Sequence, residues 1–219
     1  MKDIMLDIET MGTDSFSAVV SIAAVQFDLK TGKIGEKFYE NITLKSARDI
    51  GLHTDPLTVE WWSRQSKEAQ QALKFNAKHI TKVMTAFSEF MSDKQDHRIW
   101  GNGSRFDLGL VLNICTKLHM PQPWRHTLER DVRTLVDFAP EVKTNMKFKG
   151  TVHNALSDCL HQIKYCTAIF KRIKVSKSLK NTKTKSTNIT VNKKLDEISN
   201  KKICAKKLKK QKKSLQISN

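Results

Sequence analysis

Asp7-Ile8-Glu9 closes a short apolar run that begins at Ile4. Residues two apart on a strand project to one face, so the two carboxylates point together. No Lys or Arg within Ile4–Glu9 neutralises them. Two such charges are costly to bury side by side unless a cation lies between them. All-oxygen ligation suits a hard divalent ion such as Mg²⁺ or Mn²⁺. An isolated D-x-E is nevertheless more often a plain strand end whose acids face water. Two further acids follow. Asp107 ends the stretch Asn102-Gly103-Ser104-Arg105-Phe106-Asp107, where alone it reads as a first-turn acid facing the helix dipole. His153 and Asp158 form H-x-x-x-x-D at the opening of the last helical pattern, again ordinary singly. His161, further along that pattern, reads as a surface histidine.

The elements that must position these residues are legible in outline. Ile4 to Glu9 reads as a buried strand ending in a Thr10-Met11-Gly12 turn. Ala18 to Phe27 and Gly35 to Ile42 read as two more strands of an antiparallel meander. Asp55-Pro56 marks a helix start. Ile80, Val83, Met84, Phe87, Phe90 and Met91 recur at helical spacing. Arg98 to Trp100 is a short strand, and Phe106, Leu110, Ile114 and Leu118 mark the helix after it. Pro121 to Glu129 looks irregular, and Val132 to Phe138 reads as a short helix. Leu156, Cys159, Leu160, Ile163, Phe170 and Ile173 mark the last helix. This order fits a central mixed sheet flanked by helices, an α/β layout, although several α/β folds share it.

Charge is unevenly spread. From Lys174 onward there are 15 Lys and no Arg against Asp196 and Glu197, which accounts for +13 of the +17 net charge of the 219 residues. Two parts are therefore expected: a near-neutral folded domain over 1–173 and a basic tail over 174–219, disordered in isolation. Such a tail either holds a polyanion or is merely solvated. The four cysteines, Cys115, Cys159, Cys166 and Cys204, form no C-x-x-C pair and read as reduced thiols of a cytoplasmic protein. No signal peptide is expected, and no apolar run approaches the ~20 residues of a membrane span.

The ordered combination of D-x-E on a strand, N-x-x-x-F-D after a strand and H-x-x-x-x-D at a helix start resembles the DEDDh 3′–5′ exonucleases. Those enzymes share the ribonuclease-H-like fold. The resemblance covers residues 1–173. Thr58-Val59-Glu60-Trp61-Trp62, Trp100-Gly101-Asn102-Gly103, Pro123-Trp124, Arg130-Asp131-Val132-Arg133-Thr134 and His153-Asn154-Ala155-Leu156 look like the compact phage, prophage and bacterial branch. Its members are labelled 3′–5′ exoribonuclease-like or exodeoxyribonuclease VIII-like.

The resemblance implies two Mg²⁺ or Mn²⁺ ions held by Asp7, Glu9, Asp107 and Asp158. Asp7 would bridge them, Glu9 and Asp158 would share the ion carrying the attacking water, and Asp107 would serve the second. Two-ion sites activate water and stabilise charge on the phosphoryl oxygens. His153 is the implied general base, since imidazole suits proton transfer near neutral pH. The products would be 5′-mononucleotides.

Thr10, Met11 and Gly12 could cradle the terminal nucleotide, or form a simple turn. Trp61 and Trp62 could stack a base, although adjacent tryptophans more often divide between core and surface. Arg130, Asp131 and Arg133 fit either phosphate contact or a structural ion pair. The expected partner is nucleic acid, DNA or RNA, with no membrane. The oligomeric state stays open, a homodimer included. Rival readings are a catalytically inactive nuclease core with a basic arm, and a proofreading subunit working beside a polymerase. If the tail anchors nucleic acid, truncation before Lys174 should weaken binding and flatten its salt dependence. An identical salt slope with and without the tail would remove that role.

Overall fold

The structure is a computed structural model that describes residues 1–175. The lysine-rich segment beyond lies outside the described residues, and with it Cys204 and the expectation of disorder. Contacts divide the chain into Met1–Lys171 and Arg172–Asn219, and the candidate site lies wholly in the first unit.

Three antiparallel strands open the chain: β1 (Asp3–Thr10), β2 (Val19–Phe27) and β3 (Ile34–Asn41). Four helices follow: α1 (Leu44–Asp49), α2 (Pro56–Ser63), α3 (Lys67–Lys74) and α4 (Ile80–Met91). Strand β4 (Arg98–Gly101) then returns parallel to β1 and leads into α5 (Ser104–Lys117). Strand β5 (Glu129–Asp131) pairs parallel to β4 and is followed by α6 (Val132–Val136), α7 (Pro140–Thr144) and, last among the described residues, helix α8 (155–175). The sheet order is β3-β2-β1-β4-β5, which leaves β1 in the centre. This mixed sheet flanked by helices is the expected layout.

Centrality explains the composition of β1. Covered on both faces, it is buried along almost its whole length. Its even-numbered residues, Ile4, Leu6 and Ile8, enter the main core with Met84 and Phe87 of α4 and Leu110, Val111 and Ile114 of α5. Its odd-numbered residues face α8: the Cys159 thiol lies 3.5 Å from the Met5 carbonyl, and Gln162 reaches Asp7. At the strand's start, buried Asp3 accepts from Arg98 Nη2 at 2.8 Å and Trp100 Nε1 at 2.9 Å, which fastens β1 to β4. A buried carboxylate with two donors is satisfied.

Local signals explain the helix starts. Asp55 caps α2, accepting from the Leu57 amide at 3.1 Å, with Pro56 in the first turn. Two expectations are corrected. The stretch 121–129 is not irregular to its end: His126–Leu128 makes a single 3₁₀ turn and Glu129 begins β5. Three polar, half-buried edge residues carry no period-2 apolar signal. His161 is not a plain surface residue, because its ring packs 4.8 Å from Phe148 and 5.4 Å from Tyr165, ring centre to ring centre. No helix among the described residues is long and apolar enough to cross a membrane.

Candidate active site

The acids converge where three elements end or begin. Asp7 and Glu9 stand at the tip of β1, both less than a tenth exposed. Asp158 lies in the first turn of α8, and a ligand oxygen from each of these three lies within 4.8 Å of the others. Asp107, in the first turn of α5, stands beside this trio and acts electrostatically on both Asp7 and Glu9. It reaches that position because β4 runs parallel to β1 and delivers α5 to the same end of the sheet. The approach is tight: a Cβ on Gly101 would lie 3.1 Å from Asp107 Oδ2 and 3.2 Å from the Ser104 backbone. Asp107 Oδ2 is buried and has no hydrogen-bond partner.

His153 precedes α8 with a left-handed backbone, φ 59°, a costly conformation for a residue other than glycine. Asp158 helps hold it there. Its carboxylate accepts the Asn154 amide at 3.1 Å, and the His153 charge acts on it. Asn154 caps α8 by accepting from the Ser157 amide, and its side-chain amide donates to Tyr39 at 2.8 Å. The His153 ring meets Trp61 edge-on at 4.7 Å and Trp62 at 6.1 Å. Trp62 is the buried member of the pair, donating from Nε1 to the Thr10 carbonyl at 2.9 Å, whereas Trp61 is 41% exposed.

A cavity of about 480 Å³ opens beside Glu9, lined by Thr10, Gly12, Trp61 and Phe106 among others. Met11 is not part of it. Its amide donates to Ala18, its carbonyl accepts from Asp55, and it lines a separate apolar cavity with Val20, Trp62 and Leu73. Met11 therefore supports the turn from beneath. Gly12 also needs a different reason from the one expected. A Cβ there would meet the Ser17 hydroxyl at 2.4 Å, so the bare α-carbon serves packing.

Sequence reasoning passed over Gln162. Its Nε2 donates to Asp7 Oδ1 at 2.7 Å inside the protein. The available signal was its place four residues after Asp158 on the same helix face, a polar residue in an otherwise apolar stripe. Cys159 is excluded from nucleophilic chemistry, because burial and the surrounding acids keep its thiol protonated.

The electrostatics follow from crowding. Burial, then the charges of Asp107, Glu9 and Asp158, raise Asp7 well above the usual carboxylate range, partly offset by the Gln162 hydrogen bond. Burial and the charges of Asp158 and Asp107 push Glu9 up to about 8. Burial moves Asp107 up to about 7 against the Asn102 amide and the Arg133 charge, and Asp158 is raised too, chiefly by burial. Like-charged groups that hold protons this tightly are a site built for cations.

Mixed-sheet topology and these converging acids place the protein in the ribonuclease-H-like class of DEDDh-type 3′–5′ exonucleases. Residues 2–170 match the family described as the 3'-5' exoribonuclease Rv2179c-like domain, and the chain belongs to that family. It is 24% identical over 198 residues to an exodeoxyribonuclease of Enterobacteria phage T4, covering 74% of this chain and 86% of the relative. The solved nuclease domain of 3'hExo, a DEDDh family member bound to rAMP, superposes with a TM-score of 0.55 at 14% identity, covering 78% of this chain and 92% of that one. Pop2p of S. pombe, in a form bound to Mg²⁺ and Mn²⁺, gives 0.53 at 14% identity, covering 78% and 83%. The two structural likenesses are likenesses of fold.

The raised carboxylates fix the sign of a stability effect. Glu9 titrates near 8 when folded against an ordinary 4.5, so the folded state holds the extra proton between those values. Stability contributed by that proton is lost as pH rises through the window. In EDTA, Glu9→Gln should therefore gain stability over wild type as pH climbs from about 5 to about 8, by on the order of a few kcal/mol. Thermal or urea unfolding of both proteins across that range checks it, and a difference independent of pH would contradict the charge crowding.

Proposed function

We propose that this exonuclease removes nucleotides from the 3′ end of nucleic acid as 5′-mononucleotides, using two divalent ions and His153 as general base. The observation that carries the reading is the trio Asp7, Glu9 and half-buried Asp158, with ligand oxygens within 4.8 Å of one another, and with Asp107 adjoining. The donor set fits Mg²⁺ or Mn²⁺: every ligand is a hard oxygen, and the buried Oδ2 of Asp107 has no hydrogen-bond partner among the described residues. Bound by Asp7, Glu9, Asp107 and Asp158, the ions lower the pKa of water and stabilise charge on the phosphoryl oxygens.

The chain's own groups divide the remaining work. Gln162 fixes the rotation of Asp7 through Oδ1 and leaves Oδ2 for ligation. The cavity beside Glu9 receives the terminal nucleotide, with Thr10 and Gly12 on one wall and the exposed Trp61 ring on another. His153 accepts the proton of the attacking water. Its ring rests on Trp61, and the amide of the next residue, Asn154, is tied to Asp158, so base, ligand and nucleotide wall share one small structure. Ribose and deoxyribose ends are both within this reading. The family's description names an exoribonuclease, the phage relative an exodeoxyribonuclease, and matched RNA and DNA oligonucleotides decide the preference.

Asp7→Asn and Asp158→Asn should reduce mononucleotide release from an end-labelled oligonucleotide to background while the protein stays folded. Full activity of either variant in Mn²⁺ would remove the ligand roles. His153→Ala should lower kcat by about a hundredfold or more and flatten the acidic limb of the pH–rate profile. A profile identical to wild type would exclude His153 as the base.

A further inference from the structure

The Arg130-Asp131-Val132-Arg133 stretch admitted two readings from sequence, and the structure separates its members. Arg130 donates to the carbonyls of Thr127 at 3.0 Å and Glu129 at 2.6 Å, a structural role. Asp131 accepts the amides of Ser104 at 2.6 Å, Arg133 at 2.7 Å and Thr134 at 3.2 Å, which joins β5, α5 and α6. Arg133 differs. Its side chain is exposed and makes no salt bridge among the described residues. The guanidinium lies flat over Gly103, where a Cβ would stand 3.0 Å from Cζ and from Nη2, and Gly103 itself has φ +106°. The Arg133 charge reaches Asp107.

This guanidinium lines a second cavity, of about 490 Å³, together with Thr13, Asp14, Ser104, Arg105 and Phe106. Thr13 and Phe106 also line the cavity beside Glu9, so the two cavities adjoin at these residues. The acids of the second cavity are already engaged. Asp131 holds three amides, and Asp14 accepts from Phe16, Ser17 and His53. Both carboxylates stay charged but are held by these bonds, and Arg133 and Arg105 are the cations that line the space.

From this arrangement we propose that the second cavity receives the nucleotide upstream of the scissile bond, and that Arg133 contacts the phosphate on that nucleotide's 5′ side. The inference rests on the exonuclease reading above. With the terminal nucleotide beside Glu9 and the scissile phosphate at the acids, the strand continues past Phe106 on the Asp107 side. There a planar, exposed guanidinium meets the next phosphate with two parallel donors.

Dinucleotides with and without a 5′-phosphate test this directly, in ribo and deoxyribo forms, beside an end-labelled oligonucleotide. Wild type should prefer the phosphorylated dinucleotide in kcat/KM by roughly ten- to a hundredfold, the scale of a charge-assisted contact. Arg133→Met should bring that ratio close to one, and Arg133→Lys should give an intermediate ratio because it keeps charge without the planar fork. Equal loss on both dinucleotides in Arg133→Met would assign Arg133 to Asp107 and overturn the proposal, as would the absence of any preference in wild type. If wild type cleaved none of the substrates, the exonuclease reading itself would fail. Should Arg133→Met not fold, the ratio in Arg133→Lys decides alone, and a wild-type ratio there overturns the proposal.

Discussion

Repulsion among buried carboxylates is the constraint around which the molecule is organised. Asp7, Glu9 and Asp158 hold ligand oxygens within 4.8 Å of one another at a largely desolvated strand tip, with Asp107 adding to the field. Without a cation, protons relieve part of that repulsion: burial raises all four, and the charges of the neighbouring site acids add to it at Asp7 and Glu9. The rest of the fold supplies the stiffness that prevents the acids from swinging apart into solvent. Strand β1 is packed on both faces and clamped at its start by Asp3, Arg98 and Trp100. At its tip, one neutral donor, Gln162, steadies Asp7. A lysine there would neutralise the acid in place of an ion.

Topology explains why residues a hundred positions apart meet. Strand β4 lies parallel to β1, so both end on the same side of the sheet, and the helix leaving β4 begins there. Gly101 and Gly103 let that exit turn sharply enough for Asp107 to face the strand tip. Helix α8 covers the odd-numbered face of β1, and its first turn brings Asp158 over the same tip. Parallel strands gather their carboxyl ends, and open sheets of this kind commonly carry their chemistry there.

Much of this was legible from residue types. The D-x-E spacing on an apolar run gave one shared face, and Asp107 and Asp158 lay at element boundaries where convergence is natural. What escaped was non-local. Gln162 matters through one hydrogen bond across 155 positions; its place in an apolar stripe marks it as unusual but does not name its partner. The reason for Gly12 lies in Ser17, and Met11 is set by contacts on the far side of its turn. Strand β5 is too short and too polar to carry a periodic signal. Arg130 and Arg133 are equivalent as letters and separate only when their surroundings are known.

The left-handed backbone at His153 has a practical consequence. Among side chains other than glycine, asparagine tolerates that conformation well. Exchanging the imidazole for a carboxamide would preserve the entry into α8 and the amide that Asp158 accepts, while removing the group placed to receive a proton. Such a protein would be a natural trap, able to seat an uncut strand long enough for its path to be visualised.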